Sequence, residues 1–236
     1  MTKLSVNINK IATLRNARGG NLPDLIKMAL DIESFGAEGI TVHPRPDERH
    51  IRYQDVRDLK PILSTEFNIE GYPSKEFISL VREIKPHQIT LVPDPPGAIT
   101  SNSGWDTIKY KTFLSEIISE MKTYSRVSVF VNPAEDMVFG AKEIGADRVE
   151  LYTEAYARDY SKNKEEAIKE YVIAAKAAEK ASLGLNAGHD LNLENLEYFK
   201  NMIPNLLEVS IGHALICDSL YYGIKNTVEL YKRCLK

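Results

Sequence analysis

Three histidines and two glutamates occupy positions where short apolar runs give way to polar residues: His43, His189, His213, Glu70 and Glu150. Imidazole and carboxylate groups are the side chains that most often move protons near neutral pH. His43 closes the run Gly39–His43, and Glu70 closes Phe67–Glu70. Glu150 lies inside Arg148–Tyr152, His189 follows Leu183–Asn186, and His213 follows Leu207–Ile211. Polar groups in or just beyond an apolar run are costly unless they are paired or used. One such histidine would read as structural, whereas several at corresponding positions read as a shared site. Asn7, Asn9 and Lys10 end the first run, and Asn186 ends the seventh. His87 begins the fourth run instead of ending it, so a structural role is expected there.

Other residues have the chemistry to hold an anion. Arg45 and His50 belong to His43-Pro-Arg-Pro-Asp-Glu-Arg-His50, which reads either as a solvated charged loop or as the wall of an anion pocket. The stretch Thr13–Gly20 carries Arg15 and Arg18 before a glycine pair. It reads either as an ordinary connector or as a mobile loop that brings Arg18 onto a phosphate, which guanidinium binds bidentately. Asn186-Ala-Gly188-His189 places a glycine where backbone could approach a ligand. Gly212-His213 opens the last helical pattern, where free N–H groups and the helix dipole favour an anion. His and Glu could also ligate a divalent metal, but no H-x-H, H-E-x-x-H or Cys–His spacing occurs. Cys217 and Cys234 have no zinc-like spacing and suggest no disulfide framework.

These residues need a scaffold that gathers the ends of many runs. Eight short apolar runs occur: 4–8, 39–43, 67–70, 88–92, 126–131, 148–152, 183–186 and 207–211. They read as parallel strands buried on both faces. Helical patterns alternate with them at 22–35, 53–63, 74–84, 106–124, 134–144, 163–182, 192–201 and 214–235. Pro23 and Pro133 suit a first helical turn, and Gly36 and Gly145 suit left-handed helix ends. Phe35-Gly-Ala-Glu-Gly-Ile and Ile144-Gly-Ala-Asp-Arg-Val look like one connector used twice. The expected fold is an α/β (β/α)8 TIM barrel, one domain over 1–236, whose chemistry sits at the C-terminal ends of the strands. A doubly wound open sheet competes, but no G-x-G-x-x-G follows the first strand.

The 236 residues are 43% apolar and 27% charged with a net charge of −3, which suits a folded enzyme and not a general nucleic-acid binder. No apolar run approaches the roughly 18 residues of a membrane span, and no secretory signal is visible. A cytoplasmic, reduced protein is expected. The residues alone leave three classes open: a proton-moving enzyme on phosphorylated substrates, a metal-dependent barrel hydrolase or epimerase, and a non-catalytic phosphate-binding barrel.

The runs Asn7-Ile-Asn-Lys-Ile-Ala-Thr-Leu-Arg-Asn-Ala-Arg18, Gly39-Ile-Thr-Val-His43-Pro-Arg45, Arg49-His50-Ile, Asn68-Ile-Glu70, Leu91-Val-Pro93, Asn186-Ala-Gly-His189 and Ile211-Gly-His213-Ala together resemble the pyridoxine 5'-phosphate synthase family. The likeness runs in order along nearly the whole chain. It implies a (β/α)8 barrel, usually a homo-octamer, that condenses 3-amino-2-oxopropyl phosphate with 1-deoxy-D-xylulose 5-phosphate. The implied products are pyridoxine 5'-phosphate, phosphate and water, with no metal or organic cofactor. By the same resemblance His43 and Glu70 are proton acceptors and His189 a proton donor. Asn7, Arg18, the backbone around Asp190, Gly212 and His213 would hold the amino-ketone phosphate. Asn9, Lys10, Arg45, His50 and Thr100 would face the sugar phosphate, with Glu150 and Asn186 in support. The commonest family form has Asp-His at Asn9-Lys10, and Lys10 would supply charge in place of that histidine. It has glycine at Asp190, so the Asp190 side chain is expected to point away and cap the helix from 192.

Overall fold

The computed structural model describes residues 1–94 and 103–236. Eight strands close into one all-parallel barrel in sequence order. They are β1 (Lys3–Asn7), β2 (Gly39–Val42), β3 (Glu66–Gly71), β4 (Gln88–Leu91), β5 (Arg126–Val131), β6 (Arg148–Leu151), β7 (Gly184–Ala187) and β8 (Leu206–Ile211). The closing pair is β1 with β8, where Lys3 stands opposite Glu208 and Ser5 opposite Ser210.

The strands are buried on both faces, as expected, but only one face is apolar. One face carries Leu4, Val6, Ile40, Val42, Phe67 and Ile69, all fully buried in the main hydrophobic core. Each such side chain contributes about 1.5–3 kcal/mol by leaving water. The other face is polar, and its side chains bond to one another across strands. Ser5 and Thr41 hydroxyls meet at 2.7 Å, Asn68 donates to Thr41 at 3.3 Å, and Thr90 donates to Asn68 at 3.0 Å. Arg126 donates to Gln88 at 3.0 Å and pairs with Glu66, and Arg148 donates to Asn186 at 3.2 Å. Such a lining is tolerable because most of these groups find partners.

The helices follow the expected alternation with shifted ends. They are α1 (Asn9–Asn16), α2 (Leu25–Ser34), α3 (Tyr53–Leu59), α4 (Lys75–Ile84), α5 (Lys111–Met121), α6 (Glu135–Glu143), α7 (Glu154–Tyr160), α8 (Lys164–Ala167), α9 (Lys169–Lys180), α10 (Leu196–Met202), α11 (His213–Tyr222) and α12 (Ile224–Cys234). The stretch expected to be a loop from Thr13 is helical as far as Asn16, because Ile11, Ala12 and Arg15 give α1 a buried face. Pro23 and Pro133 precede the caps Asp24 and Ala134 instead of occupying the first turn. Asp24 accepts the Lys27 N–H at 3.0 Å and so starts α2 after the proline. The pattern at 214–235 breaks at Gly223, where φ is +75°. Gly36 and Gly145 do end their helices with φ of +102° and +86°. In both connectors the next N–H reaches five residues back, Ala37 to Ile32 at 3.2 Å and Ala146 to Ala141 at 3.1 Å.

Candidate active site

The C-terminal rim collects most of the expected residues. Asn7, the last residue of β1, donates from Nδ2 to Glu70 Oε2 at 3.3 Å. Its Oδ1 accepts the Asn9 N–H at 3.0 Å, and Asn9 Oδ1 accepts the His43 N–H at 2.9 Å. These bonds tie the ends of β1, β2 and β3 together. His43 Nδ1 stands 4.0 Å from Glu70 Oε2, and both side chains are nearly buried.

On the β2 side, Arg45 is buried and donates to Asp94 at 2.7 Å. The His43 and His50 rings meet edge to face with centroids 6.5 Å apart. His50 Nδ1 accepts the Ile51 N–H at 2.9 Å, so the proton of the neutral ring lies on Nε2. The loop carrying His50 is anchored to α1: Asn16 Nδ2 reaches the His50 carbonyl at 2.8 Å, and Arg15 reaches it at 3.2 Å. Arg15 is itself held by a buried bidentate pair with Asp55 at 2.7 and 2.8 Å. Arg15 was one of two arginines in an apparently unstructured stretch, and its partner forty residues on is not marked in the sequence.

On the opposite side, His189 follows β7. Its ring packs against Tyr152 at 5.1 Å and Phe130 at 6.4 Å between centroids. Thr153 Oγ1 donates to the His189 carbonyl. The Asp190 carboxylate makes no cap bond to the helix that follows, contrary to expectation. With φ of +66° it turns back, and its Oδ2 lies 2.8 Å from His189 Nδ1. The turn from Gly188 to Leu191, closed at 3.0 Å, places the two side chains together. Gly188 is sterically required: a Cβ there would lie 2.0 Å from the Ser210 carbonyl oxygen. Gly212 is the N-cap of α11 and faces Asn7, whose Cβ would be 3.1 Å from an added methyl. His213 is the first residue of that helix, 3.7 Å from Cys217 Sγ by Nε2.

The remaining expected residues lie elsewhere. Glu150 and Asn186 are in the barrel lumen below the rim, opposite each other on β6 and β7. Glu150 Oε2 has no hydrogen-bond partner among the described residues. Lys10 is exposed on α1, and its charge acts on His50. Arg18 is exposed in the turn after α1, outside this network. Thr100 lies outside the described residues. His87 is structural as expected: its Nδ1 accepts the Phe67 N–H at 3.0 Å on the opposite rim. Tyr152 and Phe130 also line this side of the site, and nothing local in the sequence marks them, because their importance lies in contacts between distant strands.

Burial and local charge set the protonation states. Burial first, then Arg45, His50 and Arg49, hold the His43 imidazole well below its ordinary range. Burial, reinforced by Arg45 and Arg49, pulls His50 down to about 4. Both rings are therefore neutral and can accept or relay protons. Burial pushes the Glu70 carboxyl up to about 7, with His189 opposing the rise and Asp94 adding to it. Burial also raises Glu150 well above the carboxylate range, with Glu70 and Glu208 adding to the effect. The bond from His189 is the main influence holding Asp190 below its ordinary value. A neutral imidazole beside a carboxyl that titrates near neutrality can exchange protons with a bound substrate. Among the described residues, no three His, Cys, Asp or Glu side chains group so as to hold a metal ion, and no helix is long and apolar enough to cross a membrane.

Solved structures support the fold alone. The chain superposes over its full length on phosphoribosyl anthranilate isomerase from Thermotoga maritima, with a TM-score of 0.63, 12% identity and 98% of that chain covered. It also superposes on a tryptophan synthase chain from M. tuberculosis, with a TM-score of 0.67, 9% identity, and 100% and 94% coverage. Sequence relatives are much nearer. The chain is 69% identical to the pyridoxine 5'-phosphate synthase of Cytophaga hutchinsonii and 64% identical to that of Bacteroides fragilis, each over 100% of both chains. Residues 4–236 match the family model described as pyridoxal phosphate biosynthesis protein PdxJ, and the chain belongs to that family.

Proposed function

We propose that this protein is a pyridoxine 5'-phosphate synthase. It condenses 3-amino-2-oxopropyl phosphate with 1-deoxy-D-xylulose 5-phosphate, and it releases pyridoxine 5'-phosphate, phosphate and water. The observation that carries this reading is Glu70 itself, a buried carboxyl raised to about 7 that sits 4.0 Å from a neutral His43 and feels the charge of His189. Imine formation, loss of phosphate, ring closure and aromatisation need several proton transfers. Each well-placed acid or base is worth roughly 10²–10⁴-fold.

In this reading His43 removes a carbon-bound proton, Glu70 shuttles protons during imine formation and dehydration, and His189 protonates a leaving oxygen. Asn7, Gly212, His213 and the backbone around Asp190 hold the amino-ketone phosphate, with Arg18 closing over it. Asn9, Lys10, Arg45, His50 and Thr100 face the sugar phosphate. Glu150 and Asn186 support Glu70 from below. The two phosphates act as handles that fix the reacting carbons.

The protein acts as one catalytic domain and works in the cytoplasm as a homo-oligomer, an octamer by family resemblance. Exposed Leu220, Tyr221 and Tyr222 at the end of α11 support self-association. The test is to incubate purified protein with both phosphorylated substrates and no added metal. Pyridoxine 5'-phosphate should accumulate, and its absence would reject the assignment. Sedimentation equilibrium tests the assembly separately.

A further inference from the structure

The turn after β7 contains a second acid whose placement is unexplained by packing. Asp190 is the third residue of the turn closed by the Leu191 N–H and the Gly188 carbonyl. Its φ of +66° is a conformation that favours glycine and costs most other residues. An aspartate kept there should have a compensating role. Helix capping is not that role, because the following segment caps itself: Asn192 Oδ1 accepts from Glu194 and Asn195 at 2.9 and 3.2 Å, and Asn195 Oδ1 accepts from Asn192 at 2.9 Å. The Asp190 carboxylate instead meets His189 Nδ1 at 2.8 Å.

We propose that Asp190 is a positioning residue that fixes the ring orientation and tautomer of His189. The ionised carboxylate accepts the Nδ1 proton, which leaves Nε2 as the nitrogen that exchanges a proton with substrate. The ring is then held by Asp190 at Nδ1 and by packing against the Tyr152 and Phe130 rings, while Thr153 anchors the backbone carbonyl of His189. As the imidazolium, His189 gives its Nε2 proton to a leaving oxygen and becomes the neutral Nδ1–H ring, keeping its bond to Asp190. The same bond turns the carboxylate toward the imidazole in a turn whose N–H groups serve an anion. This role rests on the function proposed above.

The experiment combines nitrogen NMR of the His189 ring in the free protein with steady-state kinetics on wild type, Asp190→Asn and Asp190→Gly. Wild type should show the Nδ1–H tautomer. Asp190→Gly should lose that bias, and kcat should fall roughly 10- to 100-fold with KM for both substrates nearly unchanged. Asp190→Asn tolerates the same backbone and should give an intermediate kcat. Because glycine relieves the backbone cost, Asp190→Gly should melt at or above the wild-type temperature. A wild-type tautomer in Asp190→Gly, or an altered tautomer with unchanged kcat, would overturn the proposal. So would an Asp190→Gly variant that melts well below wild type, since Asp190 would then be structural. If wild type itself makes no pyridoxine 5'-phosphate, the proposed function fails, and the tautomer measurement still reports on the pair.

Discussion

Arg45 Nη2 lies 2.7 Å from Asp94 Oδ2, with the two side chains 8% and 2% exposed. The cation proposed to face the sugar phosphate is thus already held by a buried carboxylate just after β4. The pair fixes the guanidinium beside His43 and His50 at the cost of desolvating both charges. Removing one partner takes this counter-charge from the other.

Arg45→Ala is therefore expected to do two things. It should destabilise the protein, because Asp94 loses a guanidinium partner in a buried site. It should also raise KM for the sugar phosphate more than for the amino-ketone phosphate. Urea unfolding and separate substrate titrations measure the two effects. The double variant Arg45→Ala/Asp94→Asn should recover part of the stability without recovering KM. An effect confined to the amino-ketone phosphate would reverse the assignment of the two pockets.

Glu70 predicts a conflict between stability and activity. Its folded carboxyl is raised to about 7 by burial, so the folded state binds this proton more tightly than the unfolded chain does. The contribution of this group to stability is greatest below the ordinary carboxylate range and declines as pH rises toward about 7. Glu70→Gln lacks that decline. Relative to wild type it should gain stability between acid and mildly alkaline pH, on the order of 3 kcal/mol at about 1.4 kcal/mol per pH unit. Turnover should fall by roughly 10²-fold or more. Denaturant midpoints at pH 5 and pH 8 and single-turnover assays test this. Normal turnover in Glu70→Gln would remove the carboxyl from the chemistry.

His50 should act as a neutral donor. The Ile51 N–H occupies Nδ1, and the ring is pulled down to about 4, so Nε2–H is left as an uncharged hydrogen-bond donor. A bond to a phosphate oxygen is worth about 1.5–3 kcal/mol. His50→Ala should accordingly raise KM for the sugar phosphate by about one to two orders of magnitude. The ratio of mutant to wild-type KM should stay flat from pH 5.5 to 9. A ratio that grows as pH falls through 6.5 would mean the ring binds as a cation.

The barrel and most of its rim were legible because strand ends carry the chemistry in this fold. His43, Glu70 and His189 stand where strands stop, and strand spacing alone located them. The polar lumen was also written in the sequence, since Leu4-Ser5-Val6-Asn7 alternates with period two. It was obscured because parallel strands usually carry apolar residues on both faces. Arg45 with Asp94, and Arg15 with Asp55, were not legible. Each pair joins residues about 40 to 50 apart, and nothing local distinguishes a buried ion pair from two surface charges. The contact between Asp190 and His189 was not legible, because it depends on one left-handed residue in the turn after β7.

Gly188 provides the sharpest steric prediction. A Cβ at this position would lie 2.0 Å from the Ser210 carbonyl oxygen and 2.7 Å from its carbon. Both are backbone atoms of β8, so no rotamer change can relieve the overlap. Gly188→Ala must push β7 and β8 apart where the barrel rim supports His189 next door. Overpacking of this kind costs typically about 1–3 kcal/mol and occasionally more. We expect the upper end of that range, together with a fall in kcat of at least roughly tenfold, since a small displacement of an acid or base weakens proton transfer steeply. Gly145→Ala is the control. The nearest atom to its added methyl is Ile118 Cγ2 at 3.9 Å, an ordinary contact, although its φ is +86°. It should cost only about 1 kcal/mol through the backbone conformation and leave kcat unchanged. Melting curves and turnover for the two variants make the comparison. Equal behaviour would mean that the approach between Gly188 and Ser210 does not hold the rim in place.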